Sequence, residues 1–153
     1  MSRARSFKPL LRRLDTIFSA HPIYFLTGCT ANRQPLLAND RAQQSLTEFA
    51  QRAADHRVWV GRYVLMPDHL HLFAAFAPGS PPVSDWMKAL KRYLTSQLGI
   101  AWQKGFFDHV LRSRESYKQK WMYVLENPVR TGLVKEAREW RYQGEIYRLD
   151  LDL

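Results

Sequence analysis

The stretch VWVGRYVLMPDHLHLFAAF, Val58 to Phe76, decides the fold. Its first nine residues are rich in β-branched and aromatic side chains, Pro67-Asp68 is a turn dipeptide, and a second apolar run follows at once. Two strands joined by so short a turn pair antiparallel. Side chains alternate along a strand, so Leu70, Leu72, Ala74 and Phe76 share one face while His69 and His71 share the other. The apolar face is expected to be the core face. Both imidazoles then project from the opposite face, side by side, where two neutral nitrogens can hold one metal ion. An ordinary surface strand also carries such pairs, so the rest of the chain has to decide between the two readings.

Upstream, residues 23–29 (IYFLTGC) read as a buried strand, and a helix over about 39–55 follows, with Leu46, Phe49, Ala50 and Ala53 at helical spacing. Downstream, residues 77–82 (APGSPP) break the chain, and Ser84 is expected to cap a helix running to about residue 98. On that helix Trp86, Leu90, Tyr93, Leu94 and Leu98 form one stripe, and Lys88, Lys91 and Arg92 cluster on another face. Residues 106–112 (FFDHVLR) read as a fourth strand. Ser113 is the next cap, for a helix over 114–126 that Asn127-Pro128 stops; a last short helix over 129–140 is expected. The order β-α-β-β-α-β predicts an α+β, ferredoxin-like (RRM-like) antiparallel sheet with extra C-terminal helices. Such a sheet carries its helices on one face and leaves the other free. The whole chain, 1–153, is read as one domain with a basic N-terminal arm over about residues 1–20.

Lys and Arg total 23 against 14 Asp and Glu, a formal charge of +9 on 153 residues. So large an excess points to a polyanionic partner. Candidate phosphate contacts are Arg12 and Arg13 of the arm, Lys88, Lys91, Arg92, Lys104, Arg112, Lys118 and Lys120. Trp86, Tyr93 and Trp102 are candidate base-stacking groups, with burial in the core as the competing reading. The single cysteine, Cys29, excludes an internal disulfide and a Cys-based zinc finger and fits a cytoplasmic setting. No apolar run approaches the ~20 residues that cross a bilayer, and no signal peptide or membrane span is expected.

The predicted helix over 114–126 places Tyr117, Trp121, Val124 and Leu125 on its apolar stripe. Tyr123 and Asn127, four apart, share a different face, with Lys120 on the same side. A partly exposed tyrosine beside a helix-stopping asparagine is the plainer reading of that pair.

Three strings, YVLMPDHLHLF (63–73), GFFDHVLRS (105–113) and YVLENPVRTGLV (123–134), in that order and spacing, resemble the single-tyrosine HUH transposases, particularly their REP-associated tyrosine transposase branch. The resemblance runs from about Ile23 to Trp140. It implies a ferredoxin-like catalytic domain, single-stranded DNA substrates that fold into REP-like hairpins, and a divalent metal, Mg²⁺ or Mn²⁺. By position it makes His69 and His71 metal ligands, Tyr123 the nucleophile and Asn127 the third ligand. The implied activity is metal-dependent cleavage and strand transfer of single-stranded DNA through a covalent 5′-phosphotyrosine intermediate. The alternative is a non-catalytic hairpin-binding descendant of such an enzyme. Asp108 and His109 fall in a similar stretch without an assigned role, a packing or phosphate contact being expected of His109. Both a monomer and a homodimer are compatible, with the tyrosine helix serving its own or a partner's subunit.

Overall fold

The computed structural model describes residues 23–149. In chain order the elements are β1 (Ile23–Cys29), α1 (Asp40–Ala53), β2 (Val58–Leu65), β3 (His69–Phe76), α2 (Val83–Leu98), β4 (Phe107–Leu111), α3 (Arg114–Leu125), α4 (Asn127–Arg130) and β5 (Gln143–Glu145). The strands form one antiparallel sheet in the order β4-β1-β3-β2-β5. The first four strands and first two helices make the expected ferredoxin-like arrangement. The β2–β3 hairpin closes at Pro67-Asp68, where the Met66 amide donates to the His69 carbonyl at 2.8 Å.

Leu26, Val60, Leu70, Leu72 and Ala74 face α1 and α2, which bury Leu46, Ala50, Trp86, Leu90 and Leu94 against them. Asn39 caps α1 by accepting from the Ala42 amide at 2.8 Å. The expected cap of α2 is not used. That helix begins at Val83 with Pro82 in the cap position, and no side-chain bond is made there. Proline is suited to a helix start because its fixed φ is already helical and its missing N–H would have had no partner in the helix.

The opposite face is not left free. Ile23, Phe73, Ala75 and Leu111 are buried there beneath Tyr117 and Trp121 of α3. The Phe73 ring meets Tyr117 edge-on at 5.0 Å, Trp121 at 6.0 Å and Phe25 at 5.0 Å. The cause is visible in β3 itself: polar and apolar residues alternate only as far as Leu72. From Phe73 to Phe76 both parities are apolar, so this half of the strand needs cover on both sides. The histidines sit at the other end of β3, on the same face as Phe73 but beyond its cluster. Phe73→Ala should therefore destabilise the fold by about 3–5 kcal/mol, read as a lower urea midpoint. An unchanged midpoint would show that the α3 layer adds nothing to the fold.

The expected helix over 129–140 does not form. α4 ends at Arg130, Gly132 takes φ 79°, and only a 3₁₀ turn, Ala137–Glu139, follows. The left-handed glycine turns the chain out of the helical path. The tail instead supplies β5 at the β2 edge and packs Tyr147 and Leu149 into the second core. Gly61 permits this approach, since a Cβ there would lie 2.7 Å from Leu149 side-chain atoms. The basic arm over about residues 1–20, with Arg12 and Arg13, lies outside the described residues. Among the described residues no helix is long and apolar enough to cross a membrane.

Candidate active site

His69 and His71 stand on the second face of the sheet, with ring centroids 4.7 Å apart and planes at 78°. Each inner nitrogen is held. Nδ1 of His69 lies 2.8 Å from Asp68 Oδ1, and Nδ1 of His71 lies 2.8 Å from Thr27 Oγ1. A carboxylate only accepts, so the first bond puts the His69 proton on Nδ1 and leaves the Nε2 lone pair facing outward. The Asp68 carboxyl is raised by burial, but hydrogen bonds from His69 and Arg33 outweigh that and hold it below its ordinary value. Arg33 Nε reaches Asp68 Oδ2 at 2.8 Å.

Both Nε2 atoms converge on the side-chain amide of Asn127, at 3.3 Å from His69 and 3.4 Å from His71. Rotating that amide by 180° exchanges its NH₂ for its oxygen, so Asn127 can present either a donor or a lone pair. His71 is pushed down to about 3, first by burial, then by the neighbouring His69, whose ring would repel a second charge when protonated, and by the positive charges of Lys120 and Arg130. Its ring is stacked on Phe25 at 5.1 Å and stays neutral.

α3 carries the tyrosine, whose ring meets Arg130 and whose hydroxyl makes no hydrogen bond to the histidines or Asn127. Ser113 caps the helix by accepting from the Ser116 amide at 3.1 Å, in a reciprocal pair with Ser116. Trp121 and Val124 dock the helix on the sheet. Tyr123 is 63% exposed, and the Arg130 guanidinium lies 3.9 Å from its ring centroid. The four-residue spacing to Asn127 does not act along one helix, because α3 ends at Leu125 and Asn127 opens α4, with Pro128 in its first turn. Pro128 is buried, and this anchored second start is what carries Asn127 to the histidines.

The basic candidates divide between the two faces. Lys120 is near the histidines, with its Nζ 5.3 Å over the Phe25 ring. Lys104, Arg112 and Lys118 are exposed on and around β4 and the start of α3. Lys88 and Arg92 are exposed on α2, in the helical layer on the other side of the sheet. Lys91 is committed within the fold: Nζ donates to the carbonyls of Gln103, at 3.0 Å, and Gly105. Trp86 is core, packed against Phe49 and Phe76. Tyr93 and Trp102 are half-buried against that same layer, which leaves Phe107, 72% exposed, as the large aromatic presented from β4. Asp108 and His109 are exposed on β4, registered against Leu26 and Phe25.

Sequence reasoning missed Thr27, Asp68 and Arg130 as parts of this centre. Asp68 adjoins His69 and Arg130 lies three residues beyond Asn127, so both had a proximity signal; Thr27 had none. Among the described residues no group of three or more His, Cys, Asp or Glu side chains converges. A metal held here would rest on two imidazoles and the Asn127 amide.

Strand order and helix placement define an α+β protein of the ferredoxin-like class, with its polar centre on the sheet face away from α1 and α2. The chain belongs to the IS200-like transposase family, whose model matches residues 20–107. That match takes in both histidines, Asp68 and Thr27 and ends before Tyr123. A REP-associated tyrosine transposase of Escherichia coli K12 is 25% identical over 121 residues, 78% of this chain and 73% of that protein. A protein of Haemophilus influenzae is 23% identical over 157 aligned positions, 87% of this chain and 89% of its own length. The solved structure of a REP-associated tyrosine transposase bound to a REP hairpin shares the fold, with a TM-score of 0.67 and 24% identity over 80% of this chain and 75% of that one.

Proposed function

We propose that this chain cleaves and rejoins single-stranded, hairpin-forming DNA through a covalent bond to Tyr123, with Mg²⁺ or Mn²⁺ held by His69, His71 and Asn127. The observation that carries the reading is the convergence of two outward Nε2 atoms on one carboxamide, delivered from a segment 56 and 58 residues away in sequence. Those donors suit the metal. Two neutral imidazoles and an amide oxygen make a three-donor set that leaves positions for water and phosphate oxygens. Lys120 and Arg130 add positive charge beside it, which favours occupation together with a DNA phosphate. When bound, the metal polarises the scissile phosphate and neutralises charge building on it.

The chain's own residues supply the remaining chemistry. The Tyr123 oxygen attacks phosphorus and gives up its proton; its new bond to phosphorus forms as the bond to the DNA 3′-oxygen breaks, and that oxygen leaves as a hydroxyl after taking a proton. A different 3′-hydroxyl then reverses the step, restoring a phosphodiester and the free tyrosine, so strands are joined without a nucleotide cofactor. The Arg130 guanidinium stacked on the Tyr123 ring steadies it for attack. Asp68 and Thr27 hold the imidazoles by their inner nitrogens. Asp68→Ala should weaken Mn²⁺ binding about 10–100-fold, measured by titration calorimetry in the absence of DNA. An unchanged affinity would remove its orienting role.

The net charge of +9 gives a second expected result. Affinity for a single-stranded flanked hairpin should fall with salt, with a log-log slope of about −0.7 for each phosphate neutralised and several phosphates engaged. Fluorescence anisotropy across a salt series checks it; affinity flat up to physiological salt would refute the basic-surface contribution. The function itself is tested by incubating the full chain with hairpin oligonucleotides and Mn²⁺ and looking for a covalent protein-DNA band. Tight hairpin binding without a band under any metal would establish the non-catalytic binder instead.

A further inference from the structure

A small cleft adjoins the two histidines on their β1 side. It has a volume of about 170 Å³ and is lined by Thr27, Cys29, Gln103, Lys104, Gly105, Phe106 and Phe107. The strand register places it. Thr27 is paired with His71 on one side and with Phe107 on the other, and Cys29 is paired with His69. Directly paired residues of neighbouring strands put their side chains on the same face. Phe107, Thr27 and His71 therefore form one row across the second face of the sheet, with Phe107 two strands from the histidine.

Phe107 is 72% exposed. Exposure of one ring is ordinary by itself; what singles out Phe107 is that it lines a cleft in the same row as Thr27 and His71. The surroundings say what the cleft fits. Lys104 supplies a positive charge, no acidic side chain lines the cleft, and the loop forming its wall is tied down by Lys91 through the carbonyls of Gln103 and Gly105. The cleft has room for one flat ring system and not for a base pair. A flat ring against a phenyl face beside a cation is the environment that suits a single nucleobase on its own backbone.

We propose that this cleft is a nucleobase subsite, in which Phe107 stacks on an unpaired base flanking the phosphate at the histidines and Lys104 contacts the adjoining backbone. It rests on the reading of the histidine centre as a DNA phosphate site. Phe107 is a positioning residue: it sets which phosphate of the strand reaches the histidines, and it acts through stacking that any base can make.

The test compares two probes with the full chain in chelator at low salt: dT12, and a twelve-unit strand of the same sugar-phosphate backbone without bases. Phosphate contacts are common to both, so their affinity ratio isolates base contacts. Stacking by one aromatic side chain is worth about 1–3 kcal/mol per base, so the wild type should prefer dT12 by roughly 5-fold or more. Phe107→Ala should reduce that preference by the same factor while leaving affinity for the base-free strand unchanged, and Phe107→Tyr should keep it. An identical preference in the wild type and Phe107→Ala overturns the subsite. A change in mass by light scattering in Phe107→Ala with an unaltered preference would also overturn it, assigning the ring to pairing between copies along β4. Formation of the covalent band is scored separately on hairpin DNA with Mn²⁺. A normal band with no Phe107-dependent preference removes only the subsite. A Phe107-dependent preference with no band removes only the strand-transfer reading.

Discussion

Tyr123→Phe should hold hairpin DNA within a few-fold of the wild-type affinity and give no covalent protein-DNA species. The ring that rests under Arg130 is retained in this variant, so the guanidinium stacking at 3.9 Å and the docking of α3 through Trp121 and Val124 are preserved. Only the oxygen is lost. Binding drawn from Lys104, Lys120 and the other basic residues does not use that oxygen, whereas the phosphorus-oxygen bond of the intermediate cannot form without it. Strand cleavage should fall by about a thousandfold or more, because deleting a nucleophile leaves only binding and electrostatics. The check is denaturing electrophoresis of labelled hairpin DNA with Mn²⁺. A persisting adduct would move the nucleophile elsewhere. Tyr117 is the nearest tyrosine on the same helix, but it lies in the second core against Phe73 and is poorly placed for attack.

Replacing His69 or His71 should have an effect of similar size for a different reason. Polarising a phosphate through a bound metal supplies several kcal/mol of transition-state stabilisation, which is about a thousandfold in rate. His69→Ala should lose it with little change in the fold. His71 is stacked on Phe25 and bonded to Thr27, so His71→Ala also opens a small void. Its urea midpoint is therefore measured alongside its rate, and loss of cleavage at a near-native midpoint is the expected result. Asn127→Ala should be milder. An amide oxygen is a weaker donor than an imidazole, so the metal concentration needed should rise before the maximal rate falls. Full cleavage by either histidine variant would remove that imidazole from the metal site.

The hairpin from Val58 to Phe76 was legible because alternation over His69, Leu70, His71 and Leu72 separates two faces without help from the rest of the chain. The same rule misjudged the second face. Phe73-Ala74-Ala75-Phe76 is apolar in both parities, and only the presence of α3 shows that Phe73 and Ala75 are covered too. Helical spacing correctly marked Tyr117, Trp121 and Val124 as the docking stripe of α3. The separate helix expected over 129–140 failed beyond Arg130, where the left-handed Gly132 redirects the chain toward β5.

In the candidate site, the residues of local motifs were found and those that depend on register were not. Thr27 reaches His71 only because β1 lies beside β3, a pairing across 44 residues. Arg130 meets Tyr123 from the next helix, seven residues on, beyond the stop that Asn127-Pro128 marks in the sequence. Charge counting named Lys88, Lys91 and Arg92 as readily as Lys120. A helical wheel carries no information about which side of the sheet the helix covers, and α2 lies on the side away from the histidines.

The most direct measurement is to trap the adduct on hairpin DNA with Mn²⁺, digest it, and identify by mass spectrometry the amino acid that carries the nucleotide. The account predicts one modified residue, Tyr123, with no adduct in the presence of chelator and none in the His69→Ala, His71→Ala double variant. Modification at another residue, or an undiminished adduct in that double variant with chelator present, would contradict it.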